Sequence, residues 1–134
     1  MIELYYFDKG LKKGSLNKLE SIKDKKKWLD ITNITKEEEI LLQKIFNLHP
    51  LTSEDLFNSI TRIKIEEFSD YLFCVFYGVK KSKTIELIEL DFILGNDFLI
   101  TNHKIKIDSF ETLKLDPKKL ENLFTKGLDF LFHK

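Results

Sequence analysis

The 134-residue sequence is poor in cysteine, glycine and proline. Cys74 is the only cysteine, which excludes an internal disulfide and a zinc site built from several thiolates. With five glycines and two prolines, the chain contains neither a GxGxxG nor a Walker phosphate-binding loop. Because Cys74 lies in an apolar run, we expect it to be a buried thiol in a reducing compartment.

An excess of charge of one sign is also absent. Lysine plus arginine and aspartate plus glutamate each number 22, so the formal net charge is zero. Proteins that bind nucleic acid normally carry surplus cations that replace the counterions of phosphate, so we expect no nucleic-acid partner.

No apolar run in the sequence approaches the length of a membrane span. The longest covers residues 71–79, whereas a spanning helix needs about 20 such residues. The N-terminus lacks the basic start and long apolar centre of a secretory signal. The chain as given is therefore expected to be soluble.

Hydrophobic residues make up 43% of the chain and include 12 phenylalanines, which is enough for a core. The length predicts one domain over residues 1–134. Alternation and β-branched or aromatic content predict strands over residues 2–7, 15–22, 28–31, 62–68, 71–79, 84–94 and 98–102. The last three strands should form an antiparallel meander. Turns are expected over 8–14, 80–83 and 95–97, with a solvated charged loop over 23–27.

Helix signals separate the two groups of strands. Thr35 and Glu38 have the spacing of a capping box, and an apolar helical stripe follows to about Leu48. Pro50 suits the first position of a second helix, which should reach about Asn58. Further helices are expected over residues 107–113, 116–124 and 128–134, with a break at Gly127. The pattern predicts an α/β or α+β domain with a mixed, largely antiparallel sheet and helices on both faces.

Few residues offer chemistry. The three histidines have no zinc-enzyme spacing; His49 is expected to be structural at a helix start, and His103 to lie in a surface loop. Glu54 and Asp55 are adjacent on a predicted helix, so their side chains point about 100° apart. They could contribute to two neighbouring Mg²⁺ sites, because Mg²⁺ keeps most of its water and needs only one or two carboxylates. A solvated helix face is the alternative.

Several segments, taken in order, resemble the cytoplasmic domain of CorA-type magnesium channels. Residues 49–58 (HPLTSEDLFN) are similar to the family pattern H-P-L-x-x-E-D-x-x-N. Residues 62–76 (RIKIEEFSDYLFCVF) follow as R-x-K-x-E and an acidic-Tyr-Leu-Phe strand. The segments 28–32 (WLDIT), 91–101 (DFILGNDFLIT) and 127–131 (GLDFL) resemble further family elements.

This resemblance implies a regulatory, divalent-cation-sensing domain that is not an enzyme. In the family, pentamers hold divalent cations between neighbouring cytoplasmic domains, so Glu54 and Asp55 would be ligands for regulatory Mg²⁺. The chain lacks the family's stalk helix, two membrane helices and Gly-Met-Asn motif, so we expect a truncation before the stalk. The intact protein would lie at the cytoplasmic face of the cell membrane and transport Mg²⁺ or Co²⁺.

Two other functions stay open from the sequence. One is a soluble interaction domain of the same fold without transport. The other is a small hydrolase in which His49 acts with Glu54 or Asp55, which requires a pocket that joins these side chains.

Overall fold

Strands dominate the computed structural model, which describes residues 1–58, 62–81 and 85–126. Seven of them form one sheet in the order β2-β1-β3-β7-β6-β5-β4. Their bounds are β1 Ile2–Phe7, β2 Leu11–Gly14, β3 Lys27–Thr32, β4 Lys64–Glu67, β5 Tyr71–Lys81, β6 Ile85–Gly95 and β7 Phe98–His103. All neighbouring pairs are antiparallel except β3 and β7, which run parallel with Trp28 opposite Leu99.

Helices cover both faces of the sheet. A 3-10 helix (Leu16–Ile22), α1 (Lys36–Phe46) and α2 (Pro50–Phe57) pack on the first face. On the second face lie α3 (Asp108–Lys114) and α4 (Pro117–Lys126). The predicted fold class is confirmed.

Each face has its own core because successive side chains of a strand point to opposite sides. The first core joins Leu29, Phe73 and Ile93 to Leu42 of α1 and Leu56 of α2. The second core contains these sheet and helix side chains: Trp28, Cys74, Phe92, Leu99, Phe110, Leu113, Leu120 and Phe124. Cys74 is buried, as expected.

The helix signals of the first half are confirmed. The Thr35 hydroxyl accepts a hydrogen bond from the Glu38 amide at 3.2 Å, and the Glu38 carboxylate accepts one from the Thr35 amide at 2.9 Å. Asn47 ends α1 in the left-handed conformation, at φ 52°. Pro50 is the first residue of α2. The meander of β5, β6 and β7 is also present.

Three predictions near the N-terminus are wrong. The strand predicted over 15–22 is the 3-10 helix Leu16–Ile22, because Leu16, Leu19 and Ile22 recur every third residue and so share one face. The predicted turn over 8–14 contains β2. Lys27, assigned to a solvated loop, is buried at the start of β3, and its ammonium donates to the Lys23 carbonyl at 3.2 Å. Residues 80 and 81, assigned to the turn over 80–83, belong to β5. The rest of that turn, the first residue of the strand predicted over 84–94, the break at Gly127 and the helix predicted over 128–134 lie outside the described residues.

Candidate functional site

Helix α2, which carries Glu54 and Asp55, is fixed to the first face by a tyrosine. The Tyr71 hydroxyl accepts a hydrogen bond from the His49 amide at 3.0 Å and donates one to the Thr52 hydroxyl at 2.8 Å. Ser53 is buried and donates to Glu39 of α1 at 3.1 Å. The polar residues that precede Glu54 therefore hold the helix in position.

Glu54 and Asp55 do not converge. Glu54 is exposed, whereas Asp55 turns toward β4, where one of its carboxylate oxygens lies 2.9 Å from the Lys64 ammonium. Lys64 also contacts Glu66 at 2.6 Å, and these hydrogen bonds, that of Glu66 first, raise the pKa of Lys64. The geometry agrees with the expected divergence of adjacent helix residues.

His49 has a structural position. It is exposed and precedes α2, and its Nδ1 accepts a hydrogen bond from the Leu51 amide at 3.1 Å. A cavity of about 570 Å³ lies near the end of α2, but His49, Glu54 and Asp55 are not among the residues that line it. The convergence that the hydrolase hypothesis requires is not found among the described residues.

A buried charged cluster occupies the second face at the ends of β3 and β7. The Asp30 carboxylate lies 2.6 Å from the His103 Nε2 and accepts a hydrogen bond from the Thr101 hydroxyl at 2.6 Å. Thr101 in turn accepts a hydrogen bond from the Trp28 indole at 3.0 Å. The expectation that His103 lies in a surface loop is wrong: β7 extends to His103, which is buried.

The ammonium of Lys114 completes this cluster. It lies 2.9 Å from Glu3 and 2.7 Å from Glu111, and it also contacts Asp30. Burial alone would raise the pKa of Asp30, because it favours the neutral carboxyl group. Hydrogen bonds from His103, Lys114 and Thr101 outweigh burial and hold this pKa below its usual range. Burial alone would lower the pKa of Lys114, yet the hydrogen bonds to Asp30, Glu111 and Glu3 raise it.

The three carboxylates of this cluster resemble a metal site. Glu3, Asp30 and Glu111 each offer an oxygen within 4.8 Å of the others. Lys114 contacts all three side chains, so the chain supplies its own cation there. We therefore treat the cluster as structural.

A second polar group lies on the first face, below the end of α2. The Asn102 amide nitrogen donates to the Leu56 carbonyl at 2.8 Å and to the Asp91 carboxylate at 2.9 Å. The pKa of Asp91 is raised to about 8, mainly by burial. The hydrogen bond from Asn102 acts against this shift, whereas a hydrogen bond to Glu89 and the charges of Glu89 and Asp55 add to it. Both residues line the 570 Å³ cavity.

The sequence matches the model of one protein family over most of its length. The family model described as "CorA-like Mg2+ transporter protein" matches residues 23–133, which include every element from β3 onward. The chain belongs to this family.

Curated relatives of this CorA-like domain include proteins that are named as transporters. The putative metal ion transporter YfjQ of Bacillus subtilis is 34% identical over 76 residues, which are 57% of this chain and 24% of that protein. The magnesium transporter ALR2 of Saccharomyces cerevisiae is 28% identical over 108 residues, which are 78% of this chain and 13% of that protein. The chain therefore spans a quarter or less of these two relatives.

Solved structures share the fold of the CorA-like domain. The soluble domain of CorA from Methanocaldococcus jannaschii superimposes with a TM-score of 0.67 at 19% identity, covering 85% of this chain and 44% of that one. In the part of the chain that the structure describes, no helix has the length and apolar character needed to cross a membrane.

Sequence reasoning missed both buried polar groups of the CorA-like domain. A signal was present, because Asp30 and Asp91 each stand between apolar residues of a strand. A carboxylate at such a position needs a partner within the protein. Lys114 lies 84 positions from Asp30 and carries no local signal. Asn102 lies only 11 positions from Asp91, across the predicted antiparallel pair of β6 and β7, so the register of that pair could have indicated it.

Proposed function

We propose that this CorA-like domain is the cytosolic, divalent-cation-sensing part of a Mg²⁺ or Co²⁺ transport channel. The observation that carries the proposal is the exposed carboxylate of Glu54, next to Asp55, on a helix that hydrogen bonds of Tyr71 and Ser53 attach to β5 and α1. Family membership and the name of the magnesium transporter ALR2 support the assignment of the ion.

The donor atoms suit Mg²⁺. Glu54 offers carboxylate oxygens to solvent, and Asp55 shares one of its oxygens with Lys64. Mg²⁺ binds through one or two carboxylates and keeps several waters, so a neighbouring domain could supply the remaining oxygens. Bound Mg²⁺ would turn the repulsion between facing carboxylates into attraction, and would favour one state of the assembly.

In this proposal the working assembly is a homopentamer at the cytoplasmic face of the membrane. Mg²⁺ between protomers stabilises the closed state, and its loss allows the domains to move. Because each domain carries only part of a site, the isolated domain should bind the ion weakly. The domain acts as a sensor rather than as an enzyme.

Two experiments test the proposal. Reading the gene beyond codon 134 should show two stretches of about 20 apolar residues. A stop codon directly after Lys134 would contradict the transporter function and favour a soluble interaction domain.

The second experiment uses the full-length protein with Glu54→Gln and Asp55→Asn. We expect Mg²⁺ to protect the wild-type assembly from proteolysis, and this protection to need a higher Mg²⁺ concentration in both variants. Glu37→Gln, on the exposed side of α1, is the matched control and should behave as wild type. Equal protection of all four proteins would show that Glu54 and Asp55 are not the sensing ligands.

A further inference from the structure

The cavity between the end of α2 and strands β6 and β7 has a volume of about 570 Å³. Its walls include Leu56 and Asn58 from α2, Glu89 and Asp91 from β6, and Asn102 from β7. It lies on the first face of the sheet, opposite to the cluster around Lys114. A water molecule takes up about 30 Å³ in the liquid, so the cavity has room for a hydrated ion.

Hydrogen bonding fixes the orientation of Asn102. Its amide nitrogen faces the Leu56 carbonyl, which can only accept, and Asp91, so its oxygen must point the other way. That oxygen, Asn102 Oδ1, is buried and accepts no hydrogen bond from the described residues. A buried acceptor without a partner destabilises the folded state, so it points to a donor or cation that the described residues do not supply.

Asp91 presents a second oxygen of the same kind. Its Oδ2 accepts the hydrogen bond from Asn102, while Oδ1 is buried and meets no donor group in the described part of the chain. The hydrogen bond between Asp91 and Glu89 requires a proton shared by the two carboxyl groups, and a bound cation would take the place of that proton. Asp91 is only 2% exposed and Asn102 only 5%. Asp91 and Asn102 are directly paired between β6 and β7, and both line the cavity. Side chains at such paired positions have Cβ atoms about 4.5–5.5 Å apart, which is close enough for one cation to contact both residues.

The charges around the cavity favour a cation. Glu86, Glu89 and Asp91 line it, and the charge of Asp55 acts on Asp91 from α2. Lys104 is the one lysine or arginine among the lining residues. The Tyr77 hydroxyl lies 3.4 Å from Glu89 and helps to position that carboxylate. Carboxylate and amide oxygens without thiolates are the donors that hard divalent cations prefer.

We propose that this cavity binds a hard divalent cation, Mg²⁺ or Ca²⁺, through Asp91 Oδ1 and Asn102 Oδ1, with Glu89 as a further carboxylate ligand. The cation would connect the end of α2 to β6 and β7 within one chain. This site is separate from Glu54 and needs no neighbouring protomer.

The test is a titration of the 134-residue chain with Mg²⁺, followed by ¹⁵N NMR. Because the Asn102 side-chain amide lies within the site, its resonances should shift as Mg²⁺ is raised to about 20 mM, above the millimolar Kd of weak oxygen sites. Trace Mn²⁺ should then broaden the signals of Asn102 and Glu89 before those of Glu54.

Variants of the lining carboxylates test whether Asp91 and Glu89 bind the cation. Asp91→Asn keeps the shape and removes the charge, and should weaken binding by at least about tenfold. Glu89→Gln, at the half-exposed end of the cavity, should weaken it less and serves if Asp91→Asn does not fold. Glu37→Gln, at an exposed position of α1, is the control and should leave the Mg²⁺ affinity measured at Asn102 unchanged.

Each result decides the proposal. Shifts at Asn102 that disappear in Asp91→Asn support it. No shift at Asn102 up to about 20 mM Mg²⁺, or the same affinity in wild type and Asp91→Asn, would overturn it. Broadening that centres on Glu54 alone would also overturn it, while supporting the sensing role of Glu54.

Discussion

At the scale of the residue, charge pairing decides where buried polar groups can stand. Lys114 lies among Glu3, Asp30 and Glu111, with its side chain only 5% exposed. Its ammonium also lies 5.7 Å from the centre of the Trp28 ring. One cation thus neutralises much of the charge of three acids that would otherwise repel one another. Removing the charge of Lys114 should therefore lower the stability of the folded chain strongly.

We predict that Lys114→Met lowers the free energy of unfolding by about 3–5 kcal/mol, because it leaves the buried Asp30 and the partly buried Glu3 and Glu111 without their cation. Chemical denaturation of both proteins measures this loss. Since the three carboxylate oxygens lie within 4.8 Å of one another, Ca²⁺ should restore part of the stability of the variant and leave wild type unchanged. Lys118→Met, at an exposed position of α4, is the control. A loss no larger than that of the control would show that Lys114 does not hold the cluster.

The sequence predicted residues whose partners are close along the chain. Thr35 and Glu38, three positions apart, indicated the start of α1 correctly, and Pro50 did the same for α2. His103 was misplaced because its partner Asp30 is 73 positions away. The positions of Glu54 and Asp55 on a helix followed from the sequence, whereas the ion pair of Asp55 with Lys64 did not. Such pairs depend on strand order, which local patterns do not encode.

At the scale of the element, α2 is stabilised mainly by its contacts with the sheet. It has eight residues, and isolated helices of that length are not stable in water. The buried hydroxyl of Thr52, the buried Leu56 and the Tyr71 hydroxyl connect it to the first face. The position of Glu54 therefore depends on a strand residue that never touches it.

We predict that Tyr71→Phe lowers the free energy of unfolding by about 1–3 kcal/mol, since the His49 amide and the Thr52 hydroxyl lose their partner. Hydrogen exchange should become faster in α2 than in α1. Tyr6→Phe is the matched control, because Tyr6 is also buried and its hydroxyl has no hydrogen bond within the described residues. If α2 exchanged no faster in Tyr71→Phe than in Tyr6→Phe, the hydroxyl would not be what holds the helix.

At the scale of the whole molecule, Asp91 links stability to pH. Its pKa is about 8 in the folded protein and 3.8 for the unperturbed group. Between these values the folded chain keeps a proton that the unfolded chain has lost, so raising the pH favours unfolding. Burial is the main cause of the raised pKa, and the neighbouring Glu89 and Asp55 act in the same direction.

We predict that Asp91→Asn removes this dependence. The free energy of unfolding of the variant relative to wild type should rise by up to about 1.4 kcal/mol per pH unit between about pH 5 and 7. Denaturant titrations in EDTA, at several pH values, measure the difference without bound metal. A difference independent of pH would mean that Asp91 titrates alike in the folded and unfolded chain.

The parallel pairing of β3 with β7 has a consequence for how the chain folds. Asp30 and Thr101, which lie opposite each other in this pair, are 71 positions apart. The hairpins β1–β2 and β5–β6 and the meander that β7 completes join neighbours in sequence and can form early. Closing a long loop is slow, because its conformational entropy is lost before stabilising contacts form. On the ribosome, one edge of β3 therefore stays open until β7 has emerged, and an open edge can pair with other chains. We expect the joining of these two halves to be the rate-limiting step of folding.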